Sequence, residues 1–493
     1  MAASEKGGVK VAIVGSGFAG LCMGIKLRQA GEENFVILEK SDRLGGTWRD
    51  NTYPGCACDI PSYLYSFSFE QNPHWTRMFA PWDEILAYLE HCAAKYGIAD
   101  KIRYGSDVTE AAYDEASGHW TVTINGTETL ETQALVAGVG NLHKPRFPDL
   151  AGLDSFGGTA FHSSQWNHEH DLTGRRVAVI GTGASAIQFV PPVAERAARV
   201  DVYQRSAPYI LPRNNGEYPA AMRRLIATVP GLQSARRYGM WAFMEMFVLG
   251  LTRLRPLAWL LRAWSTTFMR KQLQDPEVRR KAWPDYPFGC KRILFSSDYL
   301  PALQRPDVEL VTDEISRITG AGVLTADGRE REVDCIVYGT GFRSHDFVVP
   351  MEVTGTGGRE LQAAWSRGAD AHLGIAVSGF PNMFMLYGPN TNLGVGSIIV
   401  MIEAQVRYAI DALRTARRSG AALDVRPEVQ SASSQRVQER LRDSVWASCR
   451  NWYRDQDTGR VVNNWPGFMV EYVRATRAIR PEEFREVRPA VAP

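Results

Sequence analysis

Two glycine-rich turns occupy the same place in two strand–helix units, and different residues follow them. The first, Gly15-Ser-Gly17-Phe-Ala-Gly20, comes directly after the apolar run 11–14, and the second, Gly181-Thr-Gly183-Ala-Ser-Ala186, after the run 177–180. Glycines at these spacings allow a tight turn and let the backbone approach a pyrophosphate at the positive end of a helix. About twenty residues beyond the first turn, Glu39 closes an apolar strand, where a carboxylate accepts ribose hydroxyls and repels a 2′-phosphate. After the second turn the run 200–203 leads into Gln204-Arg205-Ser206, and a guanidinium with a hydroxyl suits a phosphate dianion. The chain therefore reads as an FAD (or NAD) site first and an NADP site second.

Two other clusters carry less. Cys56 and Cys58 are too close for the redox pair of a flavin disulfide reductase, which is usually spaced by four residues, so packing or a cofactor loop is the better reading. His168-Glu-His170 has a spacing that could hold a metal on a strand, but no third ligand is evident and a solvated loop is expected. No metal is implied.

The elements that must position these residues follow from length and pattern. A chain of 493 residues is too long for one compact core. The pattern predicts an α/β fold of two Rossmann-like dinucleotide-binding domains, for FAD and NADP, with a helical insert in the NADP domain. Residues 1–150 form the first part of the FAD domain, 151–340 the NADP domain with an insert at about 215–280, and 341–493 the second part of the FAD domain with a C-terminal segment. An aromatic helix is expected at 82–96, strands at 120–124, 129–135 and 134–140, a further buried strand in 332–342, and a helix at 397–417. Residues 419–440 read as surface helix and loop, and Pro-Ala-Val-Ala-Pro at the C-terminus as a disordered tail.

Composition excludes several function classes. The net charge is +2 with scattered basic residues and no polybasic tract, which leaves no argument for nucleic acid. Residues 1–8 have no apolar signal region, and seven cysteines in a large chain point to reduced thiols and a cytoplasmic setting. The apolar run around 240–252 contains Glu245 and is followed by Arg253, so it falls short of a transmembrane span. The insert is read as packing, as a wall along the substrate's approach, or as a surface in weak contact with a membrane.

Between the two units lie Phe156, Gly158, His162 and Trp166, spaced as in the F-x-G-x-x-x-H-x-x-x-W motif of type I Baeyer–Villiger monooxygenases, class B flavoprotein monooxygenases. Gly45, Gly46, Trp48, Tyr53, Pro54, Gly55 and Asp59 resemble that family's second motif, [A/G]-G-x-W-x-x-x-x-[F/Y]-P-G-x-x-x-D. With both nucleotide units in order, the resemblance covers nearly the whole chain. Asn167 and Ala57 depart from it: Pro or Asp is frequent at the first, and many members carry Arg at the second, near the nicotinamide cofactor.

The resemblance implies an FAD- and NADPH-dependent oxygenase that inserts one oxygen atom from O2 beside a ketone carbonyl, through a C4a-peroxyflavin, giving an ester or lactone. The alternative is an N- or S-oxygenase with the same cofactors. It assigns Arg292 to the active site, where a fixed positive charge stabilises an oxyanion, with Asp59 as its partner beside the flavin. Lys291 is assigned to the NADP phosphate. Gly46, Thr47, Trp48, Tyr65, Val108, Asn141, Gly388 and Trp452 are implied as further cofactor contacts. His162 is read as part of an interdomain hinge rather than a general base. Partners are a small hydrophobic ketone and O2, and the protein is expected to be a monomer or homodimer.

Overall fold

A computed structural model of the protein describes residues 9–489. Residues 1–8 and four of the five residues of the expected C-terminal tail lie outside the described residues. The first sheet is built around the strand Val9–Val14, which pairs in parallel with Phe35–Leu38 on one side and Glu128–Ala137 on the other. Beyond these lie Ile102–Arg103, His119–Ile124, Val108–Asp114 and, from far along the chain, Glu352–Thr354 and Met383–Met385. Val11, Ala12, Ile13 and Val14 are all buried, as the continuous apolar run of a parallel strand covered on both faces requires.

The second sheet is entirely parallel. Its order is Val308–Val311, Arg199–Tyr203, Arg176–Ile180, Cys335–Tyr338 and Thr159–His162. Each fingerprint thus leaves the carboxyl end of an inner strand, where open α/β sheets form their ligand crevices.

The strands expected at 129–135 and 134–140 are one element, Glu128–Ala137. It changes partners at Thr132: residues 128–132 run antiparallel to His119–Ile124, and 132–137 run parallel to Val9–Val14. The exposure pattern changes at the same point, from mainly solvated residues to the buried run 134–137, which is why the sequence looked like two strands. Residues 419–440 also hold more than surface structure. The buried strand Ala422–Val425 pairs with Phe484–Val487, and the fully buried Asp424 accepts from Arg485 and from the Gly379 amide.

The insert consists of helices Ala220–Thr228, Leu232–Thr252, Arg255–Gln272 and Pro276–Lys281. Met244, Phe247, Val248 and Leu251, at the three- and four-residue spacing of a helix face, are buried. Arg237, 2% exposed, donates from Nη1 to the carbonyls of Tyr63 (3.0 Å) and Ser66 (2.8 Å), with Glu403 3.9 Å from Nη2. A cation so buried persists only where such partners compensate it, so the insert is pinned to the first sheet's half of the molecule. Among the described residues, no helix is long and apolar enough to cross a membrane.

One expectation fails outright. Cys290 and Cys449 form a disulfide with Cα atoms 6.1 Å apart, closing a separation of 159 residues, while Cys22, Cys56, Cys58, Cys92 and Cys335 are free and buried. An odd cysteine count describes the whole chain and is silent about which two thiols the fold brings together. A peptide map without reductant should recover Cys290 and Cys449 in one cross-linked species. Cys449→Ser should cost roughly 2–5 kcal/mol in a denaturant titration. Free thiols at both positions and an unchanged midpoint would show that the link does not form.

Candidate functional site

Both fingerprint turns have the backbone that close approach needs. Gly15 and Gly181 have φ of +96° and +112°, and a Cβ on either would stand 2.8 and 2.5 Å from a carbonyl oxygen, that of Gly138 or Gly339. A Cβ on Gly20 would stand 1.8 Å from the Gly15 oxygen, which makes helix Phe18–Gln29 pack directly on the turn. Gly17 and Gly183 differ: the nearest atoms to a Cβ there lie 3.7 and 4.0 Å away, so both turns present an open backbone face. Gly17 faces Gly46, on the turn that starts the short helix containing Thr47 and Trp48. Neither helix is capped by its own N-cap side chain at Gly17 or Ser185, leaving first-turn amides and the positive dipole end to an anion. Ala186 is buried and packs under Gly339.

Glu39 is 4% exposed and already well served. Its Oε2 accepts from the amide (2.9 Å) and hydroxyl (2.7 Å) of Ser16, and its Oε1 accepts from the Ser41 amide and Arg49. Burial works against its charge, but these donors prevail and hold the carboxyl below its usual range. An ionised acid therefore sits beneath the first turn.

The second unit has the opposite electrostatics. Lys291 Nζ donates to Ser206 Oγ at 2.7 Å and stands 4.4 Å from the Tyr286 ring centroid. Burial first, and then the neighbouring Arg205, lower its pKa. Two cations and a hydroxyl from separate loops thus converge at a cost in repulsion, which a phosphate dianion would relieve.

Arg292 is the next residue on that loop. Its Nε and Nη2 donate to Asp59 Oδ2 and Oδ1, both at 2.9 Å, a bidentate contact between residues 233 apart in sequence. Burial opposes the guanidinium charge, but the Asp59 carboxylate more than offsets it, raising the Arg292 pKa above its ordinary value. Tyr387 and Tyr453 also face Arg292, and burial pushes the Tyr387 phenol up to about 12. Nearby, Trp48 Nε1 donates to the Tyr65 hydroxyl at 3.2 Å, and Phe18 meets Tyr65 edge-on at 5.2 Å. These rings form an aromatic wall beside the glycine turns.

The residues fit the two nucleotides that the fingerprints imply. Beyond the open turns and the matched charges, the buried Asn141 Oδ1 and Tyr453 hydroxyl have no protein partner. Both suit a polar ligand seated at the carboxyl ends of the strands.

The other expected positions lie in separate settings. The rings of Trp452 and Tyr453 lie 4.4 Å apart between centroids and are tilted by 41°, and the Trp452 carbonyl accepts from Ser344 and Asn463. Gly388 is packed against Gly374. Val108 lies in the hydrophobic cluster behind the first sheet, with Ala12 and Leu38. His162 is fully buried in the second sheet, its Nδ1 2.8 Å from Ser164 Oγ, and burial lowers its pKa. His168 is 2.7 Å from Thr52 Oγ1.

Two contributors escaped the sequence reading. Gln188 clamps the Tyr-Pro-Gly loop: its Nε2 donates to the Ala57 carbonyl (3.0 Å), while its Oε1 accepts from the Ala57 amide (3.3 Å) and the Tyr53 hydroxyl (3.0 Å). Gly55, at φ +79°, lies so close that a Cβ would stand 2.6 Å from the Gln188 carbonyl. Arg213 reaches the Cys58 carbonyl with Nη2 at 3.1 Å and lines a cavity of about 430 Å³ beside residues 52–57. Neither belongs to a motif. The only available signal is that Gln188 lies two residues beyond Ala186, on the fingerprint helix.

A family profile described as pyridine nucleotide-disulphide oxidoreductase matches residues 12–218. A Baeyer-Villiger monooxygenase of Pseudomonas aeruginosa is 45% identical over 471 residues, covering 95% of this chain and 89% of its own. The structure of an oxidized steroid monooxygenase bound to NADP superposes with a TM-score of 0.85 at 30% identity, covering 97% of this chain and 99% of that one. OTEMO in complex with FAD and NADP matches with a TM-score of 0.82 at 26% identity, covering 95% and 97%.

Proposed function

The chain belongs to the Baeyer–Villiger monooxygenases, and from that premise we propose which of its residues carry the reaction and on what kind of substrate. The enzyme is an FAD- and NADPH-dependent monooxygenase that converts a ketone, O2, NADPH and a proton into an ester or lactone, NADP⁺ and water. FAD, when bound and reduced by NADPH, supplies the activation of O2 and the transfer of one oxygen atom.

The chain's own contribution is binding, orientation and fixed charge. The turn at Gly15, Gly17 and Gly20 takes the flavin pyrophosphate, with Glu39 toward the ribose and Gly46, Thr47, Trp48 and Tyr65 along the flavin side. The turn at Gly181 and Gly183 takes the pyrophosphate of NADPH, and Arg205, Ser206 and Lys291 take its 2′-phosphate. The division into an FAD domain at 1–150 and 341–493, and an NADP domain at 151–340, is supported by the way the two sheets draw their strands.

Arg292 holds a permanent positive charge where negative charge develops on the substrate oxygen, and Asp59 fixes the plane of the guanidinium. The bidentate contact between them carries this reading, because it joins the Tyr-Pro-Gly loop to the loop that carries Lys291. The substrate proposed is a hydrophobic ketone. Support comes from Leu251, which packs on Gly289 three residues before Arg292, and from Trp446 against Gly394.

Arg292→Ala should reduce ester formation by roughly 10²–10³-fold while NADPH still reduces the flavin. Undiminished ester formation in that variant would remove Arg292 from the chemistry, and Arg292→Lys tests whether charge alone suffices. Arg205→Ala and Lys291→Ala should each raise KM for NADPH by roughly 10–100-fold, the value of one charge-assisted contact, with little change for NADH. Equal effects on the two nicotinamides would place these residues away from the 2′-phosphate.

A further inference from the structure

Twelve large apolar side chains stand exposed among the described residues, and nine of them lie in 220–272. The helix Leu232–Thr252 turns one face inward, through Met244, Phe247 and Leu251, and leaves Phe243 and Met246 in solvent. Along the 18 residues of the helix Arg255–Gln272 only Ser265 and Met269 are fully buried, and Leu257, Leu261 and Phe268 are half-buried against neighbouring elements. On its outer side Trp259 is 67% exposed, with Leu260 and Trp264 beside it and Leu254 at the turn. Single exposed apolar residues are ordinary, but a concentration of this kind marks a contact surface.

Charge selects the partner. Segment 220–272 contains nine Arg or Lys residues and one acid, Glu245. That acid is engaged internally, accepting from Trp241 Nε1 and the Val470 amide. Arg237 is buried, Arg223 and Arg236 are half-buried and Arg253 pairs with Glu471, which leaves Arg224, Arg255, Arg262, Arg270 and Lys271 exposed around the apolar stripe. A second copy docking through the same face would bring like charges together. Exposed tryptophans flanked by cations instead suit the interface of an anionic bilayer, where indoles sit at headgroup level and Arg and Lys meet lipid phosphates.

We propose that the hairpin of helices Leu232–Thr252 and Arg255–Gln272 docks the enzyme, without spanning, on the surface of an anionic phospholipid membrane. This does not depend on the identity of the ketone or on the roles given to Arg292 and Asp59.

The test is flotation of the FAD-loaded full chain with vesicles of phosphatidylcholine alone or mixed with phosphatidylglycerol. The enzyme should float with the mixed vesicles, far less with the neutral ones, and should be released by salt. The pairs Trp259→Glu with Leu260→Glu, and Arg255→Glu with Arg262→Glu, should each lower the bound fraction by roughly tenfold or more. NADPH-driven flavin reduction and the unfolding midpoint should stay at wild-type values. Wild-type protein that stays in solution with both vesicle types would overturn the proposal, as would unaltered binding by both variants. Self-association in sedimentation that the Trp259 and Leu260 changes abolish, without vesicle binding, would assign the surface to a second copy instead.

Discussion

The contact between Arg292 and Asp59 is the constraint around which the molecule is arranged. Asp59 ends a loop that begins under the first glycine turn, and Arg292 ends a loop that also supplies Lys291 to the second. Two nitrogens and two oxygens in a fork leave little angular freedom, so the pair sets the relative placement of both loops. A lone half-buried guanidinium would be costly, and the carboxylate compensates for that cost while keeping the charge permanent. The contact joins two loops 233 residues apart in sequence.

Around that contact, the two nucleotide units reach opposite electrostatic results from one local geometry. Both rely on a positive-φ glycine under a carbonyl and an uncapped helix start, features of backbone alone. Their difference lies in side chains supplied from elsewhere. Glu39 is kept ionised by Ser16, Ser41 and Arg49, whereas Lys291 and Arg205 are held together in spite of mutual repulsion. The two turns thus stay alike while a few charges give their surroundings opposite sign.

The parts of this arrangement legible in the sequence are those written locally. The glycine turns, the apolar runs before them, Glu39, Arg205 and the helical insert all follow from spacing and periodicity. The strand Glu128–Ala137 was misread because its pattern changes where its pairing changes, and pairing is a tertiary fact. Ala422–Val425 was missed because it is short and contains Asp424, whose burial depends on Arg485 from 61 residues away. The Cys290–Cys449 link, Gln188 and Arg213 were missed for the same reason: each acts through a partner that no neighbouring residue announces. Arg292 and Asp59 became a pair in advance only through the family motifs, not through spacing.

The Gln188 clamp has a consequence for how such a site can diversify. At residue 57 both hydrogen bonds engage the peptide group, and the side chain takes no part. Side chains there are interchangeable as far as domain registration is concerned, and the adjoining cavity leaves room for a larger one. Arg213, from a different strand–loop segment, places a positive charge beside that cavity, and Arg77, paired with Glu217, also lines it. Position 57 is therefore a place where sequence can drift without disturbing the union of the two halves, whereas Gly55, two residues earlier, has no such latitude.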